Sequence, residues 1–256
     1  MKSTDPPHVP LAYKNEGFLD SAAARPLRIL AEYLEPMAAF HRERIRDTIV
    51  FFGSARLAPE GPLGRYYEAA RELARLVTRW SKDQPSHAHR YVVCTGGGRG
   101  IMEAANRGAS EAGGKTIGLN IGLPHEQKPN AYITRGLTFE FHYFFMRKLW
   151  FAHLARALVV FPGGFGTLDE LTEILTLMQT RKITRRIPVI LFGSGYWKEI
   201  INFDALARHG MIDREDLALF QWADDPPAAL ELLQKGIAAE WEEATPAVAH
   251  SRTPPG

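Results

Sequence analysis

The chain has 256 residues, a length that suits one large α/β domain with extended ends. Hydrophobic residues make up 45% of it and charged residues 23%, the ordinary balance of a globular protein. The formal net charge is only +2 and no basic block is present, so the composition does not support a nucleic-acid-binding or membrane-surface protein. A single cysteine, Cys94, excludes an intrachain disulfide framework and suits a reducing cytoplasm.

Both ends of the chain differ in composition from its middle. Residues 1–25 and 245–256 are rich in proline, alanine and serine, and we expect them to be poorly ordered. The first segment lacks the continuous apolar stretch of a secretory signal. The longest apolar runs, at 158–161 and 187–192, are strand-sized and too short to cross a bilayer. The sequence therefore predicts one cytoplasmic domain over residues 26–244, with no membrane partner.

Predicted strands and helices alternate along this domain. A helix over 26–46 comes first, and short β-branched or aromatic runs then alternate with longer helical segments. Strands are predicted over 48–53, 91–94, 115–121, 157–161 and 187–192, and helices over 63–80, 101–112, 142–154, 167–180, around 197 and over 226–242. Strands that are hydrophobic almost throughout and separated by helices are typical of a parallel sheet covered on both faces. We therefore expect a doubly wound, Rossmann-like α/β fold, which binds ligands where its strands end.

The loop after the first predicted strand contains Gly53 and Ser54, followed by Arg56. A glycine and a hydroxyl at a strand end allow an anion to approach backbone N–H groups, and Arg56 would supply a counter-charge. A plain turn has the same composition, so this loop alone does not predict a binding site.

A second loop, over 95–103, runs from a strand into a helix and is rich in glycine. Glycines expose backbone donors, and the positive end of the helix favours a phosphate. The run is not the dinucleotide fingerprint, because Ile101 stands where its last glycine would be. The only Gly-Lys-Thr, at 114–116, opens a strand and has Ala109 in the place of the first P-loop glycine. Nucleoside triphosphate hydrolysis therefore loses its main support.

A third loop, over 162–170, again joins a strand to a helix and predicts a second anion-binding helix start. Thr167 and Glu170 also fit a capping box, which would be a purely structural arrangement. We expect Asp169 to be solvated, whereas Glu170 lies at the edge of the apolar face near Ile174, a position from which it would point into a pocket.

Arg147 lies in an unusually apolar predicted helix. Its neighbours at helical spacing are Tyr143, Phe144, Trp150, Phe151 and Leu154. Burying such a charge without a partner is costly, so we expect a carboxylate or a ligand phosphate beside it. A structural ion pair or a snorkelling side chain would also explain Arg147 and Lys148. The chain has nine histidines but no metal-binding cluster of them, and no metal site or cofactor is expected.

Two of these segments together match a family motif. Residues 162–170 match P-G-G-x-G-T-x-x-E, and Met146-Arg147-Lys148 matches its upstream R-K partner. In both of these segments, the chain resembles the LOG ("lonely guy") family of phosphoribohydrolases. The resemblance extends to residues 52–55, 96–108 and 203–216, and so covers most of the chain.

This resemblance implies hydrolysis of a nucleoside 5′-monophosphate, either a cytokinin riboside monophosphate or an ordinary purine nucleotide such as AMP. The products would be the free base and ribose 5-phosphate. The resemblance assigns catalysis to Arg147 and Glu170, and it implies a homodimer or a higher homo-oligomer. The expected substrate-binding residues are Gly53, Ser54, Gly97, Gly98, Met146, Lys148, Gly163, Gly164, Gly166 and Thr167.

Cleavage of a C1′–N bond builds positive charge on the sugar, as in glycoside hydrolysis. We hypothesise that the Glu170 carboxylate stabilises this charge or activates water, while Arg147 holds an anionic group or promotes departure of the base. Two alternatives from other classes stay open. One is a non-catalytic carrier of a nucleotide or of molybdenum cofactor, and the other is an interaction protein whose glycines only form turns.

Overall fold

The computed structural model describes residues 9–122 and 128–244. Its strands are β1 Thr48–Phe52, β2 Val92–Thr95, β3 Thr116–Ile121, β4 Thr138–Phe141, β5 Ala155–Val160, β6 Val189–Phe192 and β7 Gln221–Ala223. They form one seven-stranded sheet in the order β4-β3-β2-β1-β5-β6-β7, and all neighbouring strands are parallel. The chain builds outward from β1 on one side and then returns to place β5 on the other. This reversal confirms the doubly wound α/β fold.

Helices cover the sheet. They are α1 Glu16–Leu19, α2 Arg25–Arg42, α3 Gly64–Lys82, α4 Ile101–Glu111, α5 Phe144–Leu154, α6 Phe165–Gln179, α7 Ser194–Ile200, α8 Phe203–Arg208 and α9 Pro226–Ala244, with 3₁₀ turns at Ala12–Lys14, Ala22–Ala24 and Arg214–Leu219. No helix in the described ranges is both long enough and apolar enough to span a membrane.

The near-continuous hydrophobicity of the central strands follows from burial on both faces. In β1 every residue is buried. Ile49 and Phe51 pack in one core cluster with side chains of α3, α4 and α9, while Val50 and Phe52 pack in the other with α2, α5 and α6. Because successive side chains of a strand point to opposite faces, both must be apolar here.

Two strands at opposite edges of the sheet were not predicted from the sequence. Strand β4 alternates exposed and buried residues over only four positions, and β7 has three residues. Such short segments carry too little pattern to be distinguished from loops. The first long helix also ends earlier than predicted, because Arg44 adopts a positive φ of 55° and Ile45 pairs with His89 outside the named strands.

The N-terminal segment contains more structure than its composition predicts. The described part before α2 forms two 3₁₀ turns and the short helix α1. The Asn15 side chain caps α1 by accepting from the Phe18 N–H at 3.1 Å. The Arg28 guanidinium of α2 donates to the carbonyl oxygens of Leu19 and Ser21, which anchors the segment. The expectations for residues 1–8 and 245–256 lie outside the described residues.

Candidate active site

A cleft of about 1030 Å³ opens where the sheet order reverses, at the carboxyl ends of β1 and β5. The loops after β1 and β5, part of the loop after β2, and α5 border it. The predicted site residues that line this cleft are Gly53, Ser54, Arg147, Gly163, Gly164, Gly166, Thr167 and Glu170. The remaining four, Gly97, Gly98, Met146 and Lys148, lie outside its wall.

Arg147 of α5 and Glu170 of α6 form an ion pair in this cleft, with 3.2 Å between Nη2 and Oε1. The two side chains are only 14% and 6% exposed. The Arg147 guanidinium also lies against the rings of Phe144 and Phe151, a favourable cation–π arrangement. Its buried Nε has no hydrogen-bond partner in the described part of the chain, so Arg147 keeps a donor beyond the pair.

Burial controls the protonation of this pair. Burial raises the pKa of Glu170 to about 7, although the positive charge of Arg147 opposes this rise. Burial also lowers the pKa of Arg147, but a guanidinium remains protonated throughout the physiological range. Glu170 can therefore gain or lose a proton near neutral pH, which is the property expected of a general acid or base.

The beginning of α6 excludes the capping-box interpretation of Thr167 and Glu170. The helix starts at Phe165 with Gly164 as its N-cap, and no side chain caps it. Thr167 is therefore the third helical residue and its own N–H donates to the Gly164 carbonyl at 3.0 Å. Glu170 lies further along the helix, too far from its start to close a box. Capping therefore does not explain why Glu170 is buried beside Arg147.

The uncapped start of α6 forms an open cradle on the cleft wall. A Cβ atom built on Gly164 or Gly166 would meet nothing within 4 Å, so both glycines leave free space for a ligand. The Tyr196 hydroxyl donates to the Gly163 carbonyl at 2.9 Å and fixes that peptide. Because the first N–H groups of a helix lack intrahelical acceptors, this cradle favours an anion.

The glycine-rich loop after β2 is occupied by contacts within the protein. The Gly97 N–H donates to the Thr95 hydroxyl at 2.9 Å, and the Asn130 amide donates to the carbonyl oxygens of Gly97 and Gly98. Gly96 is the glycine of this loop that reaches the cleft. The geometry thus places Gly97 and Gly98 in support of the cleft, and their contact with a phosphate remains a prediction.

Lys148 and Met146 point away from the cleft. The Lys148 ammonium pairs with Asp169 at 2.8 Å and with Glu173 at 3.1 Å on the flank of α6. Burial lowers the pKa of Lys148, but the hydrogen bonds to these carboxylates outweigh it and raise the pKa overall. Asp169 is solvated as expected, with 53% of its side chain exposed, and the position of α5 beside α6 also supplies it with an ion-pair partner. Met146 is buried in the core.

Sequence reasoning missed the apolar part of the cleft wall. Phe165, the first residue of α6, is 93% exposed, and Phe144 and Ile200 are about half exposed at the cleft. Tyr196, from α7, is a further wall residue that was not predicted. An aromatic residue between two motif glycines was the available signal for Phe165.

Within the described ranges, no group of three or more His, Cys, Asp or Glu side chains is placed to share a metal ion.

Comparison with known proteins agrees with this geometry. The family model described as "Possible lysine decarboxylase" matches residues 102–233. The probable cytokinin riboside 5′-monophosphate phosphoribohydrolase LOGL9 of Oryza sativa subsp. japonica is 28% identical over 198 residues, or 77% of this chain and 81% of that protein. Cytokinin riboside 5′-monophosphate phosphoribohydrolase LOG2 of Arabidopsis thaliana is 24% identical over 199 residues, covering 77% and 86% of the two chains.

Solved structures share the fold. The X-ray structure of TM1055 superposes with a TM-score of 0.53 at 22% identity, covering 74% of this chain and 99% of that one. The molybdenum cofactor carrier protein of Chlamydomonas reinhardtii gives a TM-score of 0.51 at 23% identity, covering 76% and 99%. The family model spans more than half of the residues and includes both the R-K segment and the glycine-rich motif. The chain therefore belongs to the LOG family, whose model carries the description "Possible lysine decarboxylase".

Proposed function

We propose that this protein hydrolyses the N-glycosidic bond of nucleoside 5′-monophosphates, releasing the free base and ribose 5-phosphate. The observation that carries the proposal is the buried pair of Arg147 and Glu170 in a cleft that is also lined by the uncapped start of α6. Relatives named as cytokinin riboside 5′-monophosphate phosphoribohydrolases support the same reaction class. Cytokinin riboside monophosphates and AMP are the two proposed substrates.

The 5′-phosphate binds at the start of α6 in this proposal. Phosphate oxygens accept from backbone N–H groups there, and the helix dipole favours the negative charge. Gly164 and Gly166 leave the space that the phosphate requires. With a volume of about 1030 Å³, the cleft has ample room for a nucleotide. The exposed rings of Phe165 and Phe144 supply apolar surface for the base.

In the chemical step, the oxygen of a water molecule bonds to C1′ while the C1′–N bond breaks and its electron pair leaves with the base. Positive charge builds on the sugar, and the ionised Glu170 carboxylate stabilises it and accepts the proton of the attacking water. The departing base nitrogen gains a proton, so the net proton transfer is from water to base. Arg147 either holds an anionic group of the substrate or assists the departure of the base.

A non-catalytic nucleotide or cofactor carrier is the alternative function. A carrier needs the glycine loops but has no need of a buried carboxyl group with a pKa near neutrality in the cleft. The likeness to the molybdenum cofactor carrier is one of fold at 23% identity. The named relatives and the Arg147–Glu170 pair favour the hydrolase.

We further propose that the protein works as a homodimer, and a cytoplasmic location stays a prediction from the sequence. Leu27, Leu30 and Leu34 form an exposed apolar stripe on the outer face of α2. Phe145 and Leu149 are exposed on the neighbouring helix α5. An apolar surface of this kind on two adjacent helices is typical of a protein–protein interface.

Product analysis tests the proposed reaction. Purified wild-type protein and the Glu170→Gln variant are incubated with AMP and with isopentenyladenosine monophosphate, and free base and ribose 5-phosphate are quantified. We expect both products from the wild type and a loss of about 10²- to 10⁴-fold in the variant, because glutamine can neither ionise nor accept a proton. AMP binding should survive, since the cradle at α6 is untouched.

The matched control is Glu231→Gln, a change of the same size on α9, where Glu231 pairs with Lys235 at the surface. It should leave turnover unchanged. Near-normal turnover by Glu170→Gln would exclude the assigned role of this carboxyl group. Clear nucleotide binding by the wild type without release of base from either substrate would favour the carrier.

A further inference from the structure

Glu32, on the N-terminal helix α2, caps the helix that carries Arg147. Its carboxylate accepts from the backbone N–H of His142 at 2.7 Å through Oε1 and from that of Tyr143 at 3.2 Å through Oε2. Tyr143 is the N-cap residue of α5, whose own side chain makes no capping hydrogen bond. A carboxylate at this end also complements the positive end of the helix dipole. A segment far away in the sequence thus supplies the missing cap.

The backbone of Glu32 makes a second contact with the same helix. Pro36 lies inside α2 and has no N–H, so the Glu32 carbonyl four residues earlier lacks its usual helical donor. The Trp150 indole N–H of α5 donates to this carbonyl at 3.1 Å instead. Trp150 is one turn beyond Arg147 and stacks on Tyr33 of α2 with ring centroids 5.5 Å apart. Glu32 therefore holds α5 on both sides of Arg147.

Helix α5 is short and is fixed at its other end as well. It has 11 residues, and the Arg185 guanidinium donates to the carbonyl oxygens of Ala152 and His153 at its C-terminal end. With its N-terminal end held by Glu32, the helix has a defined position along its own axis. In this position the guanidinium of Arg147 lies 3.2 Å from the Glu170 carboxylate.

We propose that Glu32 is a positioning residue whose carboxylate, by capping α5, places Arg147 against Glu170, while the backbone contact to Trp150 holds the same helix further along. The inference rests on the proposed function, because it gives α2 a role in the activity of the same cleft. Removing the carboxylate would leave two N–H groups at the start of α5 without their acceptor. The helix would then shift or fray, and Arg147 would lose its fixed distance from Glu170.

The direct test is the titration of Glu170 by carbon-13 NMR of glutamate carboxyl groups, with the Glu170→Gln spectrum assigning the signal. It compares the wild type with Glu32→Ala and Glu32→Gln, each first shown to be folded by circular dichroism and urea unfolding. Arg147 opposes the rise in the pKa of Glu170, so displacing it should move the titration midpoint to higher pH. We also expect kcat/KM at neutral pH to fall about 10- to 100-fold.

Glu35→Gln is the matched control, because Glu35 is exposed on the same helix and should leave the titration and the activity unchanged. An unchanged or lowered midpoint in folded Glu32 variants would overturn the proposal. Glu32→Gln keeps the side-chain size and one acceptor oxygen, so it provides the test if Glu32→Ala fails to fold. The NMR titration of Glu170 does not require the protein to turn over a substrate. A wild type that does not hydrolyse nucleotides would therefore contradict the proposed function while leaving the test of Glu32 intact.

Discussion

At the scale of single residues, the cleft depends on a carboxyl group kept from water. Glu170 is 4% exposed, and its counter-charge is a guanidinium that is itself largely buried. Desolvation and the charge of Arg147 act on Glu170 in opposite directions, and desolvation is the larger effect. The resulting pKa of about 7 means that the ionisation state of Glu170 changes near neutral pH.

The pH dependence of the reaction follows from this pKa. The proposed step needs the ionised carboxylate, so kcat/KM should be constant above about pH 7 and fall towards tenfold per pH unit below it. A steady-state profile between pH 5 and 9 with AMP measures this limb, with substrate titration corrected from the known phosphate pKa. If kcat/KM instead fell with a midpoint near the ordinary pKa of glutamate, burial would not set the pKa of the group that reacts.

At the scale of helices and strands, one of the two tightest contacts among the glycines on the covering helices is between α3 and α4. A Cβ atom on Gly108 of α4 would lie 1.9 Å from the Arg71 carbonyl oxygen of α3. That neighbour is backbone and cannot rotate away, so the two helices must separate to accept any side chain.

We therefore expect Gly108→Ala to lower the free energy of unfolding by about 1–3 kcal/mol through overpacking. Urea unfolding followed by circular dichroism measures the change. Gly195→Ala is the matched control, because a Cβ on this exposed glycine of α7 meets nothing within 4 Å. It should be neutral or slightly stabilising, since alanine favours helix. Equal midpoints for both variants would mean that the α3–α4 contact yields more easily than its geometry indicates.

The local sequence pattern predicted helices and strands well where the segments are long and periodic. It predicted poorly the features that depend on contacts with residues distant in sequence. The buried strands β1, β5 and β6 were predicted to within two residues because both faces of each must be apolar. The start of α6 was placed two residues late, since Thr-x-x-Glu also fits a cap. The direction of Lys148 was not predictable, because it depends on carboxylates that only the packing of α5 on α6 brings near.

The same limit applies to the cleft. Arg147 and Glu170, to which we assign the chemistry, were identified from the sequence because Arg147 is a charge in an apolar helix and both residues belong to the family motif. Tyr196 and the cap at Glu32 were not, because each acts on a backbone group far away in sequence. No local pattern in the chain records such a contact.

At the scale of the whole molecule, the exposed apolar surface on α2 and α5 should govern the oligomeric state. Leu30 and Leu34 are two of the three exposed leucines in the stripe on α2. Replacing both by glutamate would place two charges in the proposed interface, where they would lose hydration without gaining partners.

Light scattering coupled to size exclusion should give twice the chain mass for the wild type and the single chain mass for Leu30→Glu/Leu34→Glu. Met211→Glu is the control, since Met211 is exposed far along the chain, after α8, outside the stripe. A dimer that persists in the double variant would locate the interface elsewhere, and a monomeric wild type would exclude the homodimer.

The connection through β5 has a consequence for how the cleft comes to exist. Helix α5 runs directly into β5 at Ala155 without a loop, and α6 follows β5 after one short turn. Arg147 and Glu170 are thus joined through a single buried strand and are 23 positions apart in the chain. Closing so short a stretch of chain costs little entropy. The proposed catalytic pair, the glycine cradle and the rings of Phe144 and Phe165 therefore belong to one contiguous piece of polypeptide, whereas Gly53 and Tyr196 reach the cleft from distant parts of the chain.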